Sequence, residues 1–343
     1  MLDVNKLLES KAYDFLRTNE HLKDRIVFLC LGGSHSYGTN IETSDVDIRG
    51  VALDTKLDVL GVTNFEQFQN TETDTTIYSL SKFIKLVCDC NPNIIEMLFC
   101  KPEHYYWVSP IGKMLLENRD MFLSKKAFYT FGGYAHAQLN RLENALVRNG
   151  DILTEEETQI HINRSVKNAM MTFQDKYGIP EECLKTYVGQ SKDNGKYEIL
   201  LDINAKGLPF ADFKSSICEM TNILRDYEKT VGQRNKKKDD VHLNKHMMHL
   251  IRLYFMCNEI LKDKTLHTFR EKEHVLLMDI RNGKFRTNDG GVKPEFYDLL
   301  NSLESEANEL YSKSSLQKQV DKMKVAELLV DIYTNYIFNK EVK

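Results

Sequence analysis

Apolar positions in the first hundred residues fall in short blocks, whereas in the remainder of the chain they recur at helical spacing. Ile26–Leu31 is an unbroken apolar run closed by Gly32 and Gly33, the pattern of a strand buried on both faces. In Ser44–Leu53, Val46 and Ile48 alternate with Asp45 and Asp47, which predicts a second strand with one apolar and one acidic face. The stretch 54–70 is polar and turn-rich, and Glu72–Leu80 (ETDTTIYSL) is β-branched and alternating, a third strand. An amphipathic helix is expected over 3–19. Another begins near Ser81, capped by Ser79 or Ser81, and a third opens at Asn91-Pro92, with Asn as cap and Pro at the first helical position. From about residue 110, segments 125–147, 155–177, 211–229, 241–262, 294–311 and 319–338 repeat apolar residues at three- and four-residue steps. Gly178-Ile-Pro and 189–209 interrupt them, and KYEILLDI within the latter reads as a short strand or hairpin. The expected organisation is a sheet domain over 1–108 followed by a larger helical domain over 109–343.

Composition narrows this picture only slightly. The 343 residues exceed a typical domain of ~100–150, consistent with two domains. An apolar fraction of 42% with 10% aromatics excludes global disorder, and 17 Gly with 6 Pro excludes a loop-rich or collagen-like chain. The 46 Lys+Arg against 50 Asp+Glu leave a net charge of −4; nucleic acid is not thereby excluded, because local basic patches decide such contacts. Cysteines 30, 88, 90, 100, 183, 218 and 257 are odd in number and lack C-x-x-C spacing, so reduced core thiols in a cytoplasmic protein are expected rather than a zinc finger or disulfide framework. The N-terminal MLDVNKLLESKAYDFL has no apolar core of a signal peptide, and no run approaches the ~18–20 apolar residues of a membrane span.

The chemistry concentrates in Gly32-Gly33-Ser34-His35-Ser36-Tyr37-Gly38-Thr39 and the nearby Ser44-Asp45-Val46-Asp47. A strand ending in Gly-Gly-Ser offers backbone N–H groups and a hydroxyl to phosphate oxygens, with no side chain in the way at glycine. Aspartates two residues apart on a strand share a face, and like charges that close call for a hard cation. A phosphate cradle beside a dicarboxylate is the equipment of phosphoryl or nucleotidyl transfer. A third carboxylate from a neighbouring strand would complete a two-metal site. Asp74 is the candidate, with the capacity to accept the proton of an attacking hydroxyl, and Glu72 is the reserve. The plain alternative for these groups is a solvated acidic face and an ordinary turn.

This ordered set resembles the nucleotidyltransferase superfamily that includes DNA polymerase beta, whose signature is a Gly-Ser turn followed by Asp-x-Asp. Within it the chain is similar to the RNA-repair-pathway polymerase-beta-like family of bacteria and phages. The closer likeness adds Tyr78-x-Leu80-x-Lys82-Phe83, Asn91-Pro92, Gly133-Tyr134-Ala135 with Gln138-Leu139, Lys245-His-Met-Met-His-Leu-Ile-Arg252-Leu and Leu276-Leu-Met-Asp-Ile-Arg281-Asn-Gly283. About 145–235 has no counterpart and reads as an insertion. The resemblance implies an α+β fold: a small mixed-sheet palm domain followed by a larger α-helical domain closing over the nucleotide. It implies an NTP substrate, ATP as the guess, with two Mg²⁺ or Mn²⁺ ions on Asp45, Asp47 and Asp74. It points to transfer of an NMP to an acceptor hydroxyl with release of pyrophosphate, the acceptor an RNA 3′ end extended without template. Two rival readings stay open: NMP transfer to a protein hydroxyl or a small molecule such as an aminoglycoside, and a non-catalytic nucleotide-binding or partner-binding module.

Gly33, Ser34 and Ser44 are the expected nucleotide contacts at the signature, with Lys82 at the start of its helix as a further phosphate contact. His35 and Tyr37 lie in the same loop, and Arg49 follows the aspartates by period two, placed to balance them or to touch phosphate. On VHLNKHMMHLIRLYF, Lys245, His249 and Arg252 are expected to form a cationic face toward phosphate or acceptor; the alternative is an amphipathic helix packing Leu250, Ile251, Leu253 and Phe255 inward. His242, His246 and His249 share that face but lack the further ligands a zinc site needs. The run Arg234–Lys238 reads as a solvated loop, or as an RNA contact.

Overall fold

In the computed structural model the described residues are 4–149, 183–190, 197–204, 240–288 and 290–338, together with Pro209, Ile217, Cys218, Met220 and Thr221. The helix expected over 155–177, most of that over 211–229, the Gly178-Ile-Pro break and the basic run at 234–238 lie outside the described residues.

The N-terminal region is built on a mixed sheet of five strands: β1 (Ile26–Leu31), β2 (Ile48–Ala52), β3 (Gln67–Asn70), β4 (Thr75–Ser79) and β5 (Tyr105–Val108), in the order β3-β4-β2-β1-β5. β1 runs antiparallel to both β2 and β5, β2 runs parallel to β4, and β3 is antiparallel to β4. The three strands legible from periodicity are the three central ones. β3 (QFQN) falls within the stretch expected to be turns, and β5 (YYWV) lies outside the strands that the pattern predicts; both are edge strands, whose partly exposed positions relax the apolar pattern.

Both faces of β1 are covered, as its unbroken apolar run requires. Leu29 and Leu31 pack with Ile48, Ala52, Ile77, Val4, Tyr13 and Leu22 on one face. Phe28, on the other, meets Phe83 edge-on at 5.7 Å between ring centroids. Phe83 belongs to the helix Leu80–Cys88, which buries Leu80, Phe83, Ile84 and Val87 at i, i+3, i+4 and i+7; each such side chain contributes roughly 1.5–3 kcal/mol. Ser79 caps that helix, its hydroxyl accepting from the Lys82 N–H, and the Asn91 side chain caps Pro92–Ile95 in the same manner.

The helix expected over 3–19 is instead three short pieces, Val4–Glu9, a 3₁₀ turn Lys11–Tyr13, and Phe15–Thr18. Ser10 adopts an extended conformation between the first two, and the resulting bend carries Tyr13 into the core at 2% exposure. Farther along lie the helices Lys126–Asn149, Asp240–Asp263, Pro294–Lys313 and Lys322–Tyr333, close to the expected spans, and an additional one, His274–Arg281. The last expected segment starts late because the Asp321 side chain caps it by accepting from the N–H groups of Met323 and Lys324. KYEILLDI supplies β7 (Tyr197–Ile203), paired antiparallel with β6 (Leu184–Gln190). The architecture is therefore α+β, a mixed sheet followed by a mostly helical part. No helix among the described residues is long and apolar enough to cross a membrane.

The chain divides into two compact units. One comprises Met1–His136, Met248–Phe285 and Val292–Lys343 and contains the five-stranded sheet; the other comprises Ala137–Met247 and Arg286–Gly291 and contains the β6–β7 hairpin.

Candidate functional site

Where β1 ends, the chain turns into a five-residue helix, Gly33–Tyr37, in place of the loop expected there. Gly38 closes it in the left-handed conformation at φ 73°. The Ser36 hydroxyl donates to the Gly33 carbonyl at 2.9 Å, and the Gly32 N–H donates to the Asp47 carbonyl at 2.8 Å, one bond beyond the Leu31–Ile48 end of the β1–β2 ladder. Gly33 has φ 57°, which L side chains rarely adopt, and a Cβ there would lie 2.6 Å from Asp47 Cγ. Glycine is thus what allows the elbow backbone and the Asp47 carboxylate to meet.

The parallel register of β2 and β4 then brings in the third aspartate. Ile48 pairs with Thr75 and Arg49 with Thr76, so one step back along the register places Asp47 beside Asp74. The Ile48 N–H donates to the Asp74 carbonyl at 3.3 Å, fixing that end of the pairing. Asp74 sits at φ 45° in the turn just before β4, a conformation aspartate tolerates better than most residues. Arg49 joins the two carboxylates: its Nη2 donates to Asp47 Oδ1 at 2.9 Å and to Asp74 Oδ1 at 3.5 Å, while Nη1 donates to the Asp74 carbonyl at 2.7 Å. Asp47 is mostly enclosed at 18% side-chain exposure, whereas Asp74 is open to solvent at 56%. Asp45 is exposed, and both Asp45 and Asp47 precede β2 instead of lying within it, because the β1–β2 ladder ends at Ile48. Among the described residues no three His, Cys, Asp or Glu side chains are gathered as a metal ion would require.

Ser34 lies within the turn and is partly buried. Ser44 belongs to the Thr39–Ser44 connection between the elbow and the aspartates: its hydroxyl accepts from the Ile41 N–H at 2.9 Å, and its carbonyl lies 3.2 Å from His35 Nε2, which donates there in the Nε2-protonated tautomer. Lys82 pairs with Glu66 at 2.7 Å, and its donated hydrogen bond holds the Glu66 carboxyl below its usual range. Lys245 is exposed on its helix, and His246 Nδ1 lies 2.8 Å from Gln138 Oε1.

Arg252 departs from the expected cationic face. It is fully buried at 0% exposure, because Leu250, Ile251, Leu253 and Tyr254 bury the helix around it. Its Nη1 donates to Glu96 Oε2 at 3.1 Å, its Nη2 to His249 Nδ1 at 3.1 Å, and its guanidinium carbon lies 3.5 Å from the centroid of the Tyr37 ring. In this structure neither the nucleotide nor the acceptor can touch it.

Arg281 received no role from sequence reasoning, yet its Nη1 donates to the Thr39 carbonyl at 2.6 Å and its Nη2 to the Ser44 hydroxyl at 3.3 Å. It pins the connection between elbow and aspartates, and the only signal for it in the sequence lay in the Leu276–Gly283 motif. A cavity of about 560 Å³ is lined by Phe99, Lys101, Arg119, Glu259 and Phe269 among others and excludes all three aspartates.

Comparison with known proteins bears on the family of the chain. An uncharacterized 38.9 kDa protein in the nrdC-mobD intergenic region of Enterobacteria phage T4 is 23% identical over 317 residues, covering 84% of this chain and 91% of its own. No solved structure matches the chain. Residues 8–198, which hold the elbow, Asp45, Asp47, Arg49 and Asp74, match the RNA repair pathway DNA polymerase beta family. That match spans more than half of the sequence, and the chain belongs to this family.

Proposed function

We propose that the protein transfers a nucleoside monophosphate from an NTP, ATP being the first candidate, to an acceptor hydroxyl with release of pyrophosphate, and that the acceptor is an RNA 3′ end extended without a template. Family membership supports polymerase-beta-like nucleotidyl transfer in RNA repair. The observation that carries the chemistry is the meeting of the Gly33 elbow with the Asp47 carboxylate, and of Asp47 with Asp74 across the parallel β2–β4 register.

The donor chemistry of these residues suits divalent ions. Asp47 and Asp74 share one cation, the Arg49 guanidinium, and Asp45, exposed and not gathered with them here, would have to be drawn in to complete the oxygen ligands of Mg²⁺ or Mn²⁺. Such ions, when bound to Asp45, Asp47 and Asp74, would offset phosphate charge and stabilise the departing pyrophosphate. The chain's own groups supply the rest. The first amides of a helical turn have no partner within the turn, so those of Gly33 and Ser34, with the Ser34 hydroxyl, take the triphosphate oxygens. Asp74, the more exposed carboxylate, receives the proton of the attacking hydroxyl. Arg49 holds together two carboxylates that would otherwise repel and keeps their spacing.

The test is incubation of the full-length protein with each of the four labelled NTPs and total RNA, with Mg²⁺ or Mn²⁺, reading pyrophosphate and labelled product. Label on RNA is expected. Label on protein alone would replace the acceptor, and NTP binding without metal-dependent pyrophosphate release would reduce the protein to a nucleotide-binding module.

A further inference from the structure

A single helical turn has little stability of its own, because nucleation fixes several dihedral angles for one hydrogen bond. The Gly33–Tyr37 turn therefore takes its position from what touches it. Its first residue abuts Asp47, as described above. Its last residue is held from several sides. The Tyr37 hydroxyl donates to Glu96 Oε1 at 2.7 Å, and burial, with Glu96 adjacent, pushes that phenol well above its ordinary pKa, so it stays a donor. The Arg252 guanidinium covers the ring face and, through Nη1, holds the other Glu96 oxygen. The Arg270 N–H donates to the Tyr37 carbonyl at 3.0 Å, and the Thr268 hydroxyl donates to the Glu96 carbonyl at 2.8 Å. Against Gly38 lies the Phe269 ring, so close that a Cβ would stand 2.5 Å from its Cε2.

We propose that Tyr37, Glu96 and Arg252 are positioning residues, a buried brace that sets the angle of the Gly33–Tyr37 turn and, through it, the seat of the Asp47 carboxylate. The proposal rests on the function argued above. All three side chains belong to residues less than a tenth exposed, so none reaches a substrate itself. A buried ion pair adds little net stability over apolar groups of equal volume, but its bonds are directional and fix one geometry. Tyr37 and Gly33 are the two ends of one short turn, so a tilt at Tyr37 shifts Gly33.

Two variants of the full-length protein test the brace. Tyr37→Phe removes one oxygen and leaves the ring under Arg252, whereas Arg252→Lys keeps the charge but loses the planar fork. Amide hydrogen exchange should accelerate about tenfold over residues 33–38 in both, the effect of one lost hydrogen bond, while residues 75–88 exchange as in the wild type. In pyrophosphate-release assays with Mg²⁺, the KM for the NTP should rise by about 10- to 100-fold, as expected for misplacement on the ångström scale, with a smaller change in kcat per folded molecule. Unchanged exchange over 33–38, acceleration spread equally to 75–88, or an unmoved KM in a protein that turns over NTP would overturn the proposal. If the wild type releases pyrophosphate from no NTP, the catalytic reading fails by itself, and the exchange data still decide the brace.

Discussion

Gly33→Ala gives the sharpest separation between damage to the fold and damage to the site. At φ 57° an alanine is strained by about 1–2 kcal/mol. Its Cβ would overlap Asp47 Oδ2 and lie 2.6 Å from Cγ, and ordinary contact begins at 3.4 Å, so the carboxylate must retreat by more than about 1 Å. The backbone strain lowers the melting temperature by about 2–8 °C, at about 2–4 °C per kcal/mol for a unit of this size. A misplacement near 1 Å in a reacting constellation removes about 100-fold in rate, equivalent to about 2.7 kcal/mol of barrier. Gly61→Ala is the matched control, because Gly61 has φ 74° and nothing within 4 Å of a built Cβ. It carries the same backbone strain with no carboxylate in its path. Differential scanning fluorimetry and metal-dependent pyrophosphate release on both variants complete the experiment. The expected result is a similar melting shift in each and an activity loss in Gly33→Ala alone. Wild-type activity in Gly33→Ala, or equal activity loss in both, would refute the placement of Asp47 at the reacting centre.

Three further outcomes follow from the same geometry. Asp47→Asn should abolish turnover with an unchanged circular dichroism spectrum, since it alters charge at nearly constant volume; retained turnover would remove Asp47 from the site. Arg49→Ala leaves Asp47 and Asp74 facing each other without their shared guanidinium, so added Mg²⁺ should raise its melting temperature more than that of the wild type, and equal shifts would contradict the shared-cation reading. At Asp58, burial pushes the carboxyl up, but hydrogen bonds from the Thr55 and Thr63 hydroxyls and from the Thr55 and Phe65 N–H groups outweigh it and bring the pKa to about 2 from 3.8. Its folded pKa is depressed, so its stabilisation is present above pH 3.8 and is lost as pH falls toward 2. Asp58→Asn should show a shallower loss of stability across that window in acid-unfolding curves, and parallel curves would exclude the effect.

The central part of the site was legible in the sequence because its parts are local. An apolar run that stops at two glycines marks both β1 and the elbow, and the alternation after Glu72 marks β4 with Asp74 at its start. What failed to show was whatever depends on partners distant along the chain. Nothing near Arg252 announces Glu96, 156 residues away, so a charged side chain on an amphipathic helix reads as solvated when it is buried. Arg49 can be placed beside Asp47 by period two, but its reach to Asp74 depends on β2 pairing parallel with β4. The elbow reads as a loop in the sequence because five residues are too few for helical periodicity to register.

The parallel alignment of β2 and β4 also sets how far the chain can change in length without losing its chemistry. Residues gained or lost between Leu53 and Glu66 shorten or lengthen a connection and leave the Ile48–Thr75 alignment as it is. A single deletion inside Thr75–Ser79 is different in kind: slipping the strand by one position turns every side chain to the opposite face, and the acid ahead of it moves away from its neighbour on β2. Natural variants and engineered insertions should therefore collect in the crossover and be absent from the strand that follows it.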